Sequence, residues 1–136
     1  MRPYRYRHVV TLDETNVVGN VYFAHYVHWQ GHCRERFLAD HAPEVLAAVQ
    51  AGALALVTAS CAMEYYAECF GLDVVDVDMF LEHRSRHRIG MTFVFRRGDV
   101  EVARGRQEVA CMVRGPSGVV PTPVPDQLVA ALRDFS

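Results

Sequence analysis

The chain has 136 residues, the length of one domain with one hydrophobic core, so a single domain spanning residues 1–136 is predicted. Hydrophobic residues make up 51% of it and charged residues 22%, which is typical of a globular protein. A net charge of −2 argues against a general polyanion binder, so no nucleic-acid partner is expected.

All 14 basic residues are arginines, which excludes a lysine Schiff base. The cysteines lie within apolar helix or strand patterns and lack the spacing of zinc ligands, so buried free thiols are predicted, with no metal and no cofactor. These cysteines are Cys33, Cys61, Cys69 and Cys111.

Residues 1–5 lack the apolar region of a signal peptide, and no apolar run is long enough to span a membrane. A cytoplasmic protein without a membrane partner is therefore expected.

The first half of the chain changes from a strand pattern to helix patterns. Residues 4–12 are rich in aromatic and β-branched residues and predict a strand, and residues 13–20 have the composition of a turn. From residue 22 to about residue 41 apolar residues recur at helical spacing, which predicts a long helix. Pro43 then opens a short helix that Gly52 closes.

The second half reads as four long strands over residues 54–70, 74–86, 89–97 and 101–114, followed by a short amphipathic helix over 126–135. This order predicts an α+β fold, with a five-stranded antiparallel sheet wrapped around one long central helix. Such a sheet leaves edges uncovered, so a homodimer is expected and a homotetramer is plausible.

Arg34 is the most informative single position of the predicted helix. It falls on or beside the stripe that should face the sheet, where an arginine snorkels to the surface, pairs with a carboxylate or is held for a ligand. Arg36 lacks this placement and should face solvent, as should Glu35, which lies about 100° around the helix from Arg34.

The turn before the helix supplies further candidates. Asn16 is able to donate to an oxyanion or orient a water, although an asparagine there is often only a turn or cap residue. Gly19 permits positive φ or a close backbone approach to a substrate carbonyl. The backbone N–H groups of Val21, Tyr22 and Phe23 should point outward at the helix start and bind developing negative charge.

Other polar side chains are weaker candidates. Tyr26 has a hydroxyl that is able to donate a hydrogen bond to a substrate carbonyl. A tyrosine in this position is more commonly a core residue whose hydroxyl contacts solvent. His25, His28 and His32 recur at helical spacing without carboxylate partners and are expected at the surface or an interface, not at a zinc site. No Gly-x-Ser-x-Gly, phosphate-binding loop or His-Glu-x-x-His motif is present, which disfavours most other enzyme classes.

The stretch 13–26, Asp-Glu-Thr-Asn-Val-Val-Gly-Asn-Val-Tyr-Phe-Ala-His-Tyr, resembles the active-site loop of hotdog-fold thioesterases in the 4-hydroxybenzoyl-CoA thioesterase-like branch. In that branch an acid precedes a glycine and a tyrosine. Asn16 holds the acid position here, while Gly19 and Tyr26 match. The missing acid, Arg34 and the stretches 22–35 and 62–68 look similar to the thioesterases of enediyne polyketide biosynthesis.

This resemblance, which extends over residues 4–114, implies hydrolysis of a polyene β-ketoacyl thioester from the acyl carrier domain of an iterative polyketide synthase. Arg34 and Asn16 would stabilise the oxyanion with help from Tyr26, and the released β-ketoacid could lose carbon dioxide. The site of hotdog proteins lies between subunits, so Thr58 could reach it across a dimer.

Three apolar residues, Phe23, Val57 and Met63, are candidates to line an acyl channel. The arginines at positions 84, 86 and 88 would meet an acidic carrier or, more simply, form a solvated strand end. The alternatives are a general acyl-CoA thioesterase of the same fold and a non-catalytic hotdog binding protein.

Overall fold

A computed structural model describes residues 2–136 of the chain, which form three α-helices and six β-strands. The strands are β1 Tyr4–Val9, β2 Ala55–Tyr65, β3 Val74–Arg84, β4 Arg88–Arg97, β5 Val100–Gly115 and β6 Gly118–Pro121. The helices are α1 Ala24–His41, α2 Pro43–Gln50 and α3 Asp126–Arg133, and a 3₁₀ turn covers Leu12–Glu14. Each predicted element is present, with ends displaced by a few residues.

The strands form one antiparallel sheet in the order β1-β3-β4-β5-β2, and the short strand β6 pairs with the end of β5. The five predicted strands are therefore confirmed. The sixth strand was not predicted, because the predicted strand pattern ends at residue 114 and residues 115–118 have the composition of a loop. These residues instead make a hairpin turn, in which Gly118 has a φ of 128° that favours glycine.

Helix α1 packs its apolar side on one face of the sheet, as its hydrophobic spacing predicts. Trp29 and Phe37 are fully buried there and share the core with Val77, Phe93 and Phe95 from the central strands. Full burial of one such side chain contributes about 1.5–3 kcal/mol, so this face of α1 carries much of the stability. It fixes where the polar residues at the helix start and along the same stripe must lie.

A β-bulge in β2 changes which residues face the helix. The register of β2 against β5 shifts between Thr58 and Ser60. Before the bulge, Leu56 and Thr58 face α1; after it, Cys61 and Met63 do so, because the extra residue reverses the alternation. Val57 and Met63, which were both candidates to line an acyl channel, therefore lie on opposite faces of β2, and Val57 is half-exposed.

The four thiols are all free, and Cys33, Cys69 and Cys111 are buried as predicted. Cys61 is the exception, because it lies on the exposed edge strand β2. Within residues 2–136, no helix has the length and apolar character needed to cross a membrane.

One close contact between α1 and the sheet depends on a glycine. Gln30 is fully buried, and its side-chain oxygen lies too close to Gly105 for that residue to carry a Cβ atom. Met63 would also come within 2.9 Å of the same Cβ. Only glycine at position 105 lets α1 approach β5 this closely.

We expect Gly105→Ala to destabilise the protein by about 1–3 kcal/mol, because the new methyl group overpacks the contact with Gln30. Urea unfolding would measure the loss. Gly31→Ala is a matched control, since a Cβ atom at Gly31 meets nothing within 4 Å and alanine favours the helix. In a Gln30→Ala background, Gly105→Ala should lower the free energy of unfolding by a smaller amount. An unchanged loss of unfolding free energy would contradict the proposed contact.

Candidate active site

A tight loop connects the 3₁₀ turn to α1 and holds Asn16 at the surface. The backbone N–H of Asn16 donates to the Asn20 carbonyl at 2.7 Å, and that of Gly19 donates to the Asn16 carbonyl at 2.9 Å. Thr15 and Val21 pair across the base of this loop. Gly19 has a φ of 97°, so its backbone conformation is the reason for glycine at this position.

Two of the backbone N–H groups expected to face outward are already hydrogen-bonded inside the chain. That of Val21 donates to the Cys69 carbonyl at 2.8 Å, and that of Tyr22 donates to the Glu14 carbonyl at 3.0 Å. The prediction of free donors is therefore wrong for these two residues, because Val21 pairs with the β2–β3 connection and Tyr22 pairs with the 3₁₀ turn. The donors of the first turn of α1 begin with Phe23 and Ala24.

The side chains around the helix start are mostly aromatic. Tyr26 is buried, and its ring packs against Trp29, Tyr65 and Phe95 at centroid distances of 4.9, 5.2 and 5.8 Å. Burial, and then a hydrogen bond with Cys69, raises the pKa of Tyr26. Its hydroxyl therefore stays protonated and serves as a hydrogen-bond donor. Tyr22 and Phe23 are half-exposed beside it, in positions where they are able to contact a bound molecule.

A cavity next to this loop, which we call the loop cavity, brings Asn16 and Tyr26 together. Its wall includes Asn16, Asn20, Phe23, Tyr26, Tyr65 and Glu68. The Asn16 amide nitrogen lies 3.2 Å from the side-chain oxygen of Asn20, whose own amide nitrogen donates to the Glu68 carboxylate at 3.1 Å. A carboxylate therefore belongs to this cavity, although not at the position of Asn16.

Arg34 lies farther along α1, above strands β2 and β5. Its guanidinium donates to the side-chain oxygen of Gln107 at 2.9 Å and approaches the hydroxyl of Thr58 at 3.5 Å. Burial lowers the pKa of Arg34, because desolvation disfavours its charged form. Among residues 2–136, no carboxylate lies within ion-pair distance of this side chain. Arg34 is thus a desolvated cation held by neutral partners.

An apolar cavity, the Arg34 cavity, extends from this guanidinium into the space between the sheet, α1 and α3. Phe37 and Leu38 from α1, Leu56 from β2 and Leu128 and Leu132 from α3 contribute to its wall. Its volume of about 20 Å³ is room for about one water molecule. The cavity must therefore widen before it admits an acyl chain.

The two groups of residues lie apart within one chain. Arg34 is ten residues beyond the first residue of α1, which corresponds to about 15 Å along the helix. Asn16 and Tyr26 line the loop cavity, whereas Arg34 lines the other. The expected pairing of Asn16 and Arg34 in one oxyanion hole is not found within a single chain, because Asn16 lies in the loop before α1 and Arg34 lies in the second half of that helix.

Glu14, which was not among the predicted site residues, connects the loop to the core. Its buried carboxylate accepts hydrogen bonds from His8 at 2.8 Å, the backbone N–H of Thr11 at 2.9 Å and the Trp29 indole at 2.7 Å. Burial alone would raise the pKa of Glu14, yet these three hydrogen bonds lower it to about 2. The Thr-x-x-Glu spacing of residues 11–14, a capping-box pattern, was the available signal.

The histidines of α1 lie where the sequence placed them. His28 and His32 are exposed and His25 is half-buried, and the Nδ1 atoms of His25 and His28 are 3.4 Å apart. Glu35 and Arg36 are exposed, in agreement with the prediction. Within the described part of the chain, no group of three or more histidine, cysteine, aspartate or glutamate residues could hold a metal ion.

One antiparallel sheet packed on a long helix, with a polar loop at the helix start, defines a hotdog-fold protein. Residues 10–132 match a family profile described as the thioesterase-like superfamily. The chain therefore belongs to the thioesterase-like superfamily and is a thioester hydrolase. A search of curated proteins finds no match.

Solved structures agree with this assignment. The dynemicin thioesterase, whose crystal structures revealed induced-fit and allosteric effects upon polyene binding, is 54% identical, with a TM-score of 0.94 over 98% of this chain and 96% of that one. Slr0204, a 1,4-dihydroxy-2-naphthoyl-CoA thioesterase from Synechocystis, is 19% identical, with a TM-score of 0.87 over 98% and 97%. BH1999, a gentisyl-coenzyme A thioesterase, is 14% identical, with a TM-score of 0.81 over 95% and 98%. The last two similarities concern the fold alone.

Proposed function

We propose that this enzyme hydrolyses a polyene β-ketoacyl thioester carried on the phosphopantetheine of a polyketide synthase acyl carrier domain. The 54% identity to a polyene-binding thioesterase supports the substrate class. The observation that carries the mechanism is Arg34, a desolvated guanidinium with neutral partners at the end of an apolar cavity.

Arg34 has the properties of an anion-binding residue. Gln107 and Thr58 occupy only one of its terminal nitrogens, Nη1, so further N–H donors remain for a ligand. A partly buried cation without an ion-pair partner gains stabilisation when negative charge appears next to it, and a thioester carbonyl acquires that charge as it becomes tetrahedral. Arg34 would thus bind the transition state more tightly than the substrate.

The reaction then needs no nucleophile from the protein. The oxygen of a water molecule adds to the thioester carbonyl carbon, and the carbonyl oxygen becomes an oxyanion. When this intermediate collapses, the C–S bond breaks, the sulfur takes up one proton of that water, and the acyl group leaves as a carboxylic acid. In this scheme Arg34 stabilises the oxyanion, while Asn16 and Tyr26 position the water and the carbonyl by hydrogen bonds.

The remaining site residues would shape the substrate path. Gly19 keeps the loop next to Asn16 tight, and the backbone of Val21 anchors that loop. Tyr22 and Phe23 would contact the pantetheine arm or the first atoms of the acyl chain, since both are half-exposed, Phe23 lines the loop cavity and the Tyr22 ring packs beside it. Thr58 holds Arg34 in place. The apolar Arg34 cavity, once widened, would receive a flat hydrocarbon chain.

We further propose a homodimer, with a tetramer as a larger form. Strand β2 is an exposed 11-residue edge, which is a ready surface for pairing with a second copy. Such pairing would let Arg34 of one protomer approach the loop cavity of its partner. Arg34 would then lie near Asn16 and Tyr26, from which it is separated within one chain. A β-ketoacid released there would lose carbon dioxide readily and give a methyl ketone.

The test is hydrolysis of two kinds of substrate. The enzyme is incubated with the polyene-loaded synthase and, separately, with simple acyl-CoAs, and the released products are followed by mass spectrometry. Faster turnover of the polyene thioester is expected; faster turnover of ordinary acyl-CoAs would instead favour a general acyl-CoA thioesterase. Loss of carbon dioxide is measured in the same experiment as the ratio of methyl ketone to β-ketoacid.

Asn16→Ala tests the role of the loop. We expect kcat on the polyene thioester to fall by about 10²–10³, because removal of one group that stabilises or orients the reacting atoms costs that much. Asp13→Asn, at an exposed position in the preceding turn, is the matched control and should retain activity. Full activity in Asn16→Ala would remove Asn16 from the mechanism.

A further inference from the structure

A chain of three polar side chains crosses the wall of the loop cavity. The Asn16 amide nitrogen donates to the Asn20 side-chain oxygen at 3.2 Å, and the Asn20 amide nitrogen donates to the Glu68 carboxylate at 3.1 Å. All three side chains line the same cavity as Tyr26. We call Asn16, Asn20 and Glu68 the amide relay.

The carboxylate at the end of the relay fixes the direction of every hydrogen bond in it. An ionised carboxylate only accepts, so Asn20 must turn its NH₂ group toward Glu68 and its oxygen toward Asn16. Asn16 must then present its own NH₂ group to Asn20. The side-chain oxygen of Asn16 is left free to accept a hydrogen bond from a molecule in the cavity.

The backbone also holds Glu68 in this position. Arg97 donates to the backbone carbonyl of Glu68 and lies 3.9 Å from the carboxylate of Asp73. These two contacts stabilise the connection between β2 and β3. The neighbouring pair Asn20 and Phe70 forms a β-bridge. The loop and the connection are therefore tied together by both backbone and side-chain contacts, and the relay spans the junction.

We infer that Glu68 is a positioning residue, which acts through Asn20 and makes the side-chain oxygen of Asn16 the acceptor for the attacking water. This inference rests on the proposed thioester hydrolysis and assigns its water-binding atom. Asn16 then orients the nucleophile, while Arg34 and the donors at the helix start stabilise the oxyanion.

The relay explains how a site with an amide in the acid position is able to activate water. Hydrogen-bonded chains polarise each other, so the negative charge of Glu68 increases the negative charge on the Asn16 oxygen. The effect is modest in an open cavity and increases when a bound acyl chain excludes water. No proton passes along the amide relay, because amide groups do not accept a proton at neutral pH. The proton that the attacking water loses is taken up by the departing sulfur.

The experiment compares Glu68→Gln, Asn20→Ala and the double variant with the wild-type enzyme. The probe is a synthetic polyenoyl thioester of N-acetylcysteamine, and the released thiol is followed optically. Each single variant should lower kcat about ten- to a hundredfold with an unchanged KM, and the double variant should lose no more than the worse single one, because all three break one relay. Glu64→Gln, which removes the same charge from the outer face of β2, should retain full activity.

A second readout does not depend on turnover. The side-chain NH₂ resonances of Asn16 and Asn20, measured by ¹⁵N NMR, should both move in Glu68→Gln, whereas a change confined to Asn20 would overturn the relay. Wild-type kcat in Glu68→Gln would overturn it too, and so would a loss in Glu68→Gln without one in Asn20→Ala, because Glu68 would then act directly. If Arg34→Met is inactive in the same assay, the proposed function survives either result; an inactive wild-type enzyme would overturn both proposals.

Discussion

Arg34→Met is expected to lower kcat on the polyene thioester by about 10²–10³, since one oxyanion donor contributes that much to the rate. Methionine replaces the apolar stem of arginine with a shorter unbranched side chain that cannot donate a hydrogen bond. If Arg34 acts only in the transition state, KM should change little. Steady-state kinetics with the synthetic thioester measure both constants.

The same substitution should leave the protein as stable as before or make it more stable. Arg34 is desolvated, and its hydrogen-bond partners Gln107 and Thr58 are neutral. Removing a poorly compensated buried charge relieves a desolvation cost, so thermal unfolding should shift upward or stay in place. A large drop in the unfolding temperature would show that Arg34 supports the fold. The loss of activity would then reflect unfolding and would not support a role of Arg34 in oxyanion stabilisation.

Arg36→Met is the matched control for this experiment. Arg36 lies two residues farther along α1 and is exposed, so the same change of charge occurs on the same helix outside the site. It should retain kcat and stability. Equal losses in the Arg34 and Arg36 variants would point to a general charge effect and contradict the assignment of Arg34.

Glu14→Gln is expected to destabilise the protein by about 3 kcal/mol at pH 7. The pKa of Glu14 falls from an ordinary 4.5 to about 2, and a shift of that size corresponds to about 3 kcal/mol of linked stability. All three partners of the carboxylate, His8, Thr11 and Trp29, are donors. The NH₂ group of a glutamine would oppose one of them.

The pH dependence follows from the sign of this shift. Because the folded pKa is lower than the unfolded one, the stabilisation is fully present above about pH 5 and is lost as the pH falls toward 2. The difference between wild type and Glu14→Gln should therefore narrow over that range in urea unfolding. Glu35→Gln, at an exposed position of α1, is the control and should show no comparable gap. A gap that stays constant down to pH 2 would contradict the role of the charge.

The sequence was sufficient to predict the helices, the five long strands and the hotdog fold, because these elements have strong hydrophobic periods and the loop resembles a known family. It also selected Arg34, since a cation on an apolar stripe is conspicuous. The contacts of Arg34 with Gln107 and Thr58 could not be predicted from the sequence, because they depend on the register of β5 against β2. The short strand β6 was missed because its turn has the composition of a loop.

The relay shows why a site is harder to predict than a fold. Asn20 and Glu68 lie 48 residues apart, and neither has a spacing that signals contact. Glu68 belongs to a stretch that supported the family resemblance, yet only the packing of the β2–β3 connection on the loop gives it a role. Glu14 was similarly hidden, because its partners come from β1 and α1.

The bulge in β2 has a consequence for how this sheet is able to grow. A bulge twists its strand locally and leaves one residue out of the hydrogen-bonding ladder, so a neighbouring strand cannot follow the whole edge without interruption. A second copy must therefore pair on one side of Ala59 or bend to pass it. The bulge thus limits uninterrupted strand addition at this edge of the sheet and opposes the open-ended stacking that leads to fibrils.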